Sequence, residues 1–355
     1  MCGIAGIVGP AANEEVLLEM LCGSRHRGDV AHFGERFIDS GSAIGTNRLA
    51  IVDPDHGQQP FSSNDGLILC VFNGELYNCE ELRAKLSTVY DFRTECDSEV
   101  VLAAYLNWGA SMLDHLRGMF ALAILDRRKP CPLLLARDPL GIKPLYFATY
   151  CDTTYFGSEI KTFQTLKFID SIRSVGPGEV VFGDKAWRYY SVPQFNVSDD
   201  PPVQSCKGLA EALEATVLAH LPNGTGAVAC LLSGGIDSST ILHVTNRLRS
   251  SVEAFTFANL DSTSDDLNAA RLMCTHLGIP LHVVSPSAKD LQLFYLSQGV
   301  LMTETWEPPL VRNAVSYHFL CRGVAARGYK WCLSGEGADE LFGGYDYFRQ
   351  YEQPH

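Results

Sequence analysis

At 355 residues, with 46% hydrophobic and 19% charged positions, the chain has the composition of a globular protein long enough for two cores. Its net charge of -13 argues against broad binding to nucleic acid or to anionic membranes, and no Lys/Arg-rich run offsets it. The 12 cysteines are scattered without a CxxC pair, so neither a zinc site nor a disulfide framework is indicated. No apolar run reaches the roughly 18 residues of a membrane span, and the N-terminus lacks the pattern of a signal peptide, so a cytoplasmic protein is expected.

The chain opens Met1-Cys2-Gly3-Ile4-Ala5-Gly6-Ile7-Val8, and residues 3–8 read as a short buried strand. Removal of Met1 would leave Cys2 with both a thiol and an α-amine, the arrangement of an N-terminal nucleophile; the alternative is a cysteine that merely follows Met. Asn13 to Leu21 reads as a helix capped by Asn13. Arg25-His26-Arg27-Gly28-Asp29 is a dense polar loop, suited to carboxylate contacts or to solvent. Asn47 to Asp53 predicts a strand with Arg48 at its start, and Leu67 to Phe72 predicts another. The latter runs into Asn73-Gly74-Glu75-Leu76-Tyr77-Asn78, where Asn78 is expected to cap a helix with Glu81 in capping-box register. Asn73 and the Gly74 N–H suit an oxyanion hole, and Glu75 suits an ammonium; Asn-Gly is also a common turn. Asp97 is either the N-cap of the helix running to Trp108 or a receiver of a ligand amine. Strands follow at 119–126, 133–138, 154–156 and 178–182, so this half is rich in strands and predicts two stacked antiparallel sheets flanked by helices.

Cys2, Arg48 in NRLAIVD, FNGELYN at 72–78, Asp97 and RDPLGIKPLY at 137–146 resemble the class II glutamine amidotransferase domain, over nearly all of residues 1–190. The resemblance implies the N-terminal nucleophile hydrolase fold, an αββα sandwich. It implies Cys2 as nucleophile on the glutamine amide and Asn73 with Gly74 as oxyanion donors. Arg48 would take the glutamine carboxylate, Glu75 and Asp97 its amine, and Leu49, Ala50, Ile51 and Val52 the rest of the glutamine site. The family usually places a proline between the glycine and aspartate of its Arg-His-Arg-Gly-Pro-Asp loop; here Gly28 runs straight into Asp29.

Residues 191–205, SVPQFNVSDDPPVQS, read as an interdomain linker, and a helix is expected from Lys207 to His220. The apolar run Ala227 to Leu232 then predicts a strand that ends in Ser233-Gly234-Gly235, with a helix resuming at Ile236 and carrying Asp237, Ser238 and Ser239 in its first turn. Strand, glycine loop and helix N-terminus make a phosphate cradle, and Asp237 there calls for a cation such as Mg2+ on a polyphosphate; a tight strand-to-helix turn with Ser and Asp caps is the alternative. Strands at 252–258, 281–285 and 330–333 alternate with helices at 265–277, about 288–301 and 311–327, which predicts a parallel sheet with ligand at its carboxyl ends. The last strand leads into Ser334-Gly335-Glu336-Gly337-Ala338-Asp339-Glu340, a second glycine-rich loop with acids.

SGGIDSS at 233–239 and SGEGADELFGGY at 334–345 resemble the ATP-pyrophosphatase domain of asparagine synthetases, an adenine nucleotide α-hydrolase-like α/β fold assigned here to residues 206–355. The resemblance implies that aspartate is activated by ATP as an acyl-adenylate and that ammonia from the Cys2 site attacks it, giving asparagine, glutamate, AMP and pyrophosphate. Leu232, Ser233, Gly234, Gly235, Asp237, Ser238, Phe257, Ser334 and Gly335 would handle ATP and pyrophosphate. Asp237 and Asp339 would hold Mg2+, and Glu336 would sit by the adenylate. Arg312, in ETWEPPLVRN, is a candidate for a substrate carboxylate. Family members continue with a long, mostly helical segment, so the second domain is expected to be incomplete at the C-terminus. A homodimer is also expected. A glutaminase with a vestigial second domain, a non-catalytic binding protein and an amidotransferase with another carboxylate acceptor are the alternatives.

Overall fold

In a computed structural model, residues 2–193, 202–221, 226–258 and 264–345 are described. The chain divides into two compact units, Met1–Val197 and Ser198–His355. Most of the expected linker and residues 346–355 lie outside the described residues; the linker's last part is helical, because the helix expected from Lys207 begins at Pro202.

In the first unit, β1 (Gly3–Val8) is followed by α1 (Glu14–Gly23), β2 (Glu35–Asp39), β3 (Ser42–Asn47), β4 (Phe61–Ser62) and β5 (Ile68–Leu76). Next come α2 (Cys79–Leu86), α3 (Asp97–Trp108), β6 (Gly118–Asp126), β7 (Leu133–Arg137), β8 (Tyr146–Tyr150), β9 (Thr153–Gly157), β10 (Arg173–Ser174), β11 (Glu179–Phe182) and β12 (Lys185–Arg188). They form two six-stranded sheets, ordered β10-β8-β9-β1-β3-β2 and β12-β11-β7-β6-β5-β4. The strand period of two sorts each sheet's side chains between faces. Ile4, Val8 and Ile44 meet Val71, Ala123 and Leu135 between the sheets. On the outer faces, Ala5 and Ile7 pack with Leu17, Met20 and Leu21 of α1, while Phe72, Leu122 and Ile124 pack with Val100, Val101 and Ala104 of α3. The result is the αββα sandwich, with each fully buried Leu, Ile or Phe contributing about 1.5–3 kcal/mol to its cohesion.

Three local expectations are corrected here. The strand expected to run from Asn47 to Asp53 stops at Asn47, because the Arg48 guanidinium draws the following carbonyls around itself and curls the chain. Asn78 stands at the α2 N-cap without a capping bond; its side chain instead donates to the His115 carbonyl at 2.9 Å and accepts from the Arg117 amide at 3.0 Å. The N-cap of α3 is Cys96, and Asp97 is the first helical residue.

In the second unit, α4 (Pro202–His220) precedes β13 (Val228–Leu231), α5 (Ile236–Leu248), β14 (Val252–Phe257), α6 (Asp265–Leu277) and β15 (Leu281–Val284). Then come α7 (Ala288–Phe294), a π-helical turn at Tyr295–Gly299, α8 (Val300–Thr303), α9 (Pro308–Ala326) and α10 (Ala338–Phe342). The sheet is parallel, ordered β13-β14-β15. Val217, Leu242 and Ala270 from α4, α5 and α6 cover one face, and Tyr317, Leu320 and Val324 of α9 cover the other. The strand expected at 330–333 contracts to a bridge at Leu333, whose carbonyl accepts from Leu231 at 2.8 Å and whose amide donates to Ala229 at 2.9 Å. The single helix expected over about 288–301 is broken by the π turn, and the next starts at Pro308, where a proline suits the first helical position.

Candidate functional sites

Cys2 leads directly into β1, whose register pairs Gly3 with Asn47, so Cys2 lies beside the loop after β3. The Leu49 amide donates to Cys2 Sγ at 3.4 Å, and Arg27 Nε donates to the Cys2 carbonyl at 3.0 Å. Arg27 also donates to Glu159 at 2.8 Å, and His26 joins the same carboxylate, so the basic loop is used for carboxylate contacts. Asp29 closes that loop without the family's proline: its amide donates to the Arg48 carbonyl at 2.8 Å, and its carboxylate accepts from the Ala50 amide at 3.0 Å.

Cys2 opens onto a pocket of about 80 Å³ that Arg48, Leu49, Ile51, Val52, Gly74, Glu75 and Asp97 also line. Ala50 and Asn73 are buried and do not line it. Both polar atoms of the Asn73 amide are buried without a hydrogen-bond partner among the described residues. A buried amide of that kind is costly unless something polar reaches it, which suits a donor held for a developing oxyanion. Arg48 is 2% exposed and donates to the carbonyls of Val52 (3.1 Å), Asp53 (2.6 Å) and Pro54 (3.0 Å). Its guanidinium therefore shapes the loop it was expected to serve.

Burial pushes the Cys2 thiol up, and the Leu49 N–H pulls against that shift. Burial, reinforced by Asp97, raises Glu75. Burial also raises Asp97, opposed by the N–H groups of Leu76 and Ser98. Two carboxyls held near neutrality in one pocket are ready to ionise against an incoming cation. The pocket holds a cation of its own that sequence reasoning missed. Lys143 is 4% exposed and lines the pocket, and burial, with Arg27 adding, lowers it to about 8. Asp138 puts it there by accepting from the amides of Leu140 (3.1 Å), Ile142 (2.9 Å) and Lys143 (3.0 Å), which folds the RDPLGIK turn inward. The motif was visible, but a lysine beside a proline in a turn reads as solvated. Gln59, Phe72, Cys96, Ser98 and Met119 complete the lining and carried no chemical signal of their own.

In the second unit, the Leu232 amide donates to the Phe255 carbonyl at 2.8 Å, carrying the chain past the end of β13 into the first glycine loop. Ser233 and Ser238 bind each other across that loop: the Ser233 amide lies 3.1 Å from Ser238 Oγ, and the two hydroxyls are 3.0 Å apart. Gly234 has φ +89°, and a β-carbon there would meet the Asp266 carbonyl of α6 at 2.8 Å; Gly235 is the N-cap of α5. The second glycine loop docks on the first, since a β-carbon on Gly335 would come within 2.8 Å of the Ser238 amide nitrogen and 3.1 Å of Asp237 Cβ. Asp237 is raised by burial and by the charge of Asp339. Ser334 stands beside Gly335, the Tyr317 hydroxyl donates to Glu336, and Phe257 ends β14. Arg312 is exposed near the start of α9. No group of three or more His, Cys, Asp or Glu residues able to hold a metal ion occurs among the described residues.

A family model for the glutamine amidotransferase domain matches residues 1–176, and one for asparagine synthase matches residues 208–354. The chain belongs to the asparagine synthetase family. It is 32% identical over 367 residues to asparagine synthetase (glutamine-hydrolyzing) 2 of Oryza sativa subsp. japonica, covering 99% of this chain and 60% of that protein. It is also 32% identical over 377 residues to asparagine synthetase B (glutamine-hydrolyzing) of Escherichia coli strain K12, covering 99% of this chain and 66% of that one. Among solved structures it is similar to the glutamine phosphoribosylpyrophosphate amidotransferase of B. subtilis complexed with ADP and GMP, at 19% identity and a TM-score of 0.44, covering 80% of this chain and 66% of that one. The chain thus spans about three-fifths of the length of the curated asparagine synthetases it matches first. Among the described residues, no helix is long and apolar enough to cross a membrane.

Proposed function

We propose that this chain carries the glutamine-hydrolysing and ATP-using sites of an asparagine synthetase. The observation that carries the proposal is the convergence of Cys2, Arg48, Glu75 and Asp97, from four separate stretches, on one pocket. With Met1 removed, the Cys2 amine takes the thiol proton as Sγ attacks the glutamine carboxamide, then delivers it to the departing ammonia. Asn73 and the Gly74 N–H hold the oxyanion. Glu75 and Asp97 receive the glutamine ammonium, Arg48 its carboxylate, and the backbone of residues 49–52 its flank. Water then cleaves the thioester to glutamate.

In the second unit, the loops 232–238 and 334–335 cradle ATP, with Phe257 near the base. The aspartate carboxylate displaces pyrophosphate from the α-phosphorus, ammonia attacks the carbonyl of the resulting acyl-adenylate and expels AMP, and Glu336 accepts the proton released. Asp237 and Asp339 fit Mg2+, which is held by one or two carboxylates together with substrate phosphates, and whose charge would offset the phosphate oxygens. The like-charge pressure of Asp339 on Asp237 supports that fit. The 12 free thiols fit a reducing compartment, the cytoplasm. A homodimer would appear as twice the chain mass in light scattering.

The test is a pair of assays on the purified chain. Glutamate release from glutamine is expected, with loss in Cys2→Ala, and aspartate-dependent pyrophosphate release from ATP is expected, with loss in Asp237→Asn. Glutamate without pyrophosphate would leave a glutaminase alone, and neither product would end the proposal.

A further inference from the structure

β4 pairs with β5 through Phe61 and Cys70, and the same register continued would set Gln59 opposite Phe72. The main chain does not continue it: the Gln59 amide turns to Glu35, donating at 2.9 Å. The Gln59 side chain takes the strand's place. Its Oε1 accepts from the Phe72 amide at 2.7 Å, and its Nε2 donates to the Phe72 carbonyl at 3.2 Å. Nε2 also donates to Ser98 Oγ at 3.2 Å, and that hydroxyl donates to Asp97 Oδ1 at 3.3 Å. The other Asp97 oxygen accepts from the Leu76 amide at 3.2 Å. Gln59 and Ser98 are both buried, and both line the Cys2 pocket.

A ring thus closes from Phe72 through Gln59, Ser98 and Asp97 back to Leu76, and Gly74 lies midway along the strand it spans. Phe120 stands opposite Gly74 in β6 and spends both of its main-chain groups on Asp138. Gly74 is therefore in a pair without ladder bonds, and its N–H points to the same edge of β5 as those of Phe72 and Leu76. The ring's side chains engage the outer two of these donors, and the middle one lies at the pocket.

We propose that Gln59 is a positioning residue for glutamine hydrolysis: its carboxamide fixes the edge of β5 so that the Gly74 N–H meets the oxyanion, and the relay through Ser98 holds Asp97 in register with it for the substrate ammonium. This role rests on the amidotransferase reading and adds to it a residue that acts through its neighbours. An oxyanion donor displaced by about 1 Å can lose about two orders of magnitude in rate.

The 355-residue chain and its Gln59→Met and Gln59→Glu variants are compared by hydrogen exchange at single-amide resolution and by glutamine kinetics. Methionine fills a similar space and removes both polar atoms of the carboxamide. Exchange of the Phe72 amide should quicken about tenfold or more, while the Val71 and Asn73 amides, which point toward β6, hold their rates. The kcat for glutamate release should fall about tenfold or more, beyond any change in KM. A protonated carboxyl at position 59 keeps one donor and one acceptor in the carboxamide's place, and an ionised one loses the donor. The kcat of Gln59→Glu relative to the wild type should therefore fall as pH rises, in a pocket shared with Arg48, Glu75, Asp97 and Lys143. Equal quickening at residues 71, 72 and 73 would make Gln59 merely structural and overturn the proposal. So would an unmoved kcat in Gln59→Met, or a kcat ratio for Gln59→Glu that pH does not change. A wild-type chain that releases no glutamate would fell the amidotransferase reading, and this role with it.

Discussion

Arg27 ties Cys2 to Glu159: one arm of its guanidinium donates to the Cys2 carbonyl at 3.0 Å and another to the Glu159 carboxylate at 2.8 Å. Cys2 is thus held by a buried ion pair as well as by the strand it leads into. Burial acts to raise Glu159, but the hydrogen bond from His26 and the charges of Arg27, His26 and Lys161 outweigh it and hold the carboxyl at about 2. A depressed carboxyl contributes stability that is complete above its ordinary value of 4.5 and is lost as pH falls toward 2. The contribution is about 3 kcal/mol. Urea unfolding at pH 6 and pH 3 should therefore show a steeper acid loss in the wild type than in Glu159→Gln, and equal losses would refute the assignment.

Asn73 offers a separation of rate from stability. Its side-chain amide is buried with no partner among the described residues, so Asn73→Ala removes no folded-state hydrogen bond. Glutamine turnover should fall by about 10²–10³ with KM little changed, as for loss of an oxyanion donor. The thermal midpoint should stay within a few degrees. A large stability loss accompanied by normal kcat would show that the amide is structural.

The pocket's carboxyls set a pH dependence with a definite sign. Glu75 and Asp97 are both raised, so raising the pH from 6 toward 8 ionises them and favours the glutamine ammonium. Above about 8, Lys143 loses the proton that offsets Glu75. The profile of kcat/KM for glutamine should rise between pH 6 and 8 and then flatten. Lys143→Met should move the rising limb upward by about one pH unit. An unmoved limb would mean that Lys143 does not act on these carboxyls.

Gly335 tests the second site without touching the first. A β-carbon there would press on the Ser238 amide and on Asp237, which are backbone and helix-start atoms that yield poorly. Gly335→Ala should weaken ATP-dependent pyrophosphate release at least about tenfold, through about 1.4 kcal/mol or more of lost complementarity. Glutamate release from glutamine, measured without ATP, should remain. Unchanged pyrophosphate release would separate the two loops functionally.

Local periodicity carried much of the fold. β1 occupies the six residues its apolar run predicted, and α6 ends where Gly278 adopts a left-handed conformation at φ +68°. What went astray depended on side-chain to backbone partners that periodicity does not encode. The apolar run after Arg48 looks like a strand until its guanidinium gathers three carbonyls. Asn78 looks like a cap until His115 and Arg117 occupy its amide. Lys143 enters the pocket only because Asp138 collects the amides around it, and no spacing rule announces such a turn. The candidate site residues were legible because each sits in a short, chemically marked string, whereas the lining that encloses them is ordinary in type.

The curl after Arg48 has a kinetic consequence. Three backbone oxygens already surround that cation, so a carboxylate bound there, as proposed, would exchange places with the chain's own peptide groups. Capture and loosening of residues 52–54 would then be a single swap. Its pace would follow how often those oxygens let go, rather than how often a solute molecule collides with the opening.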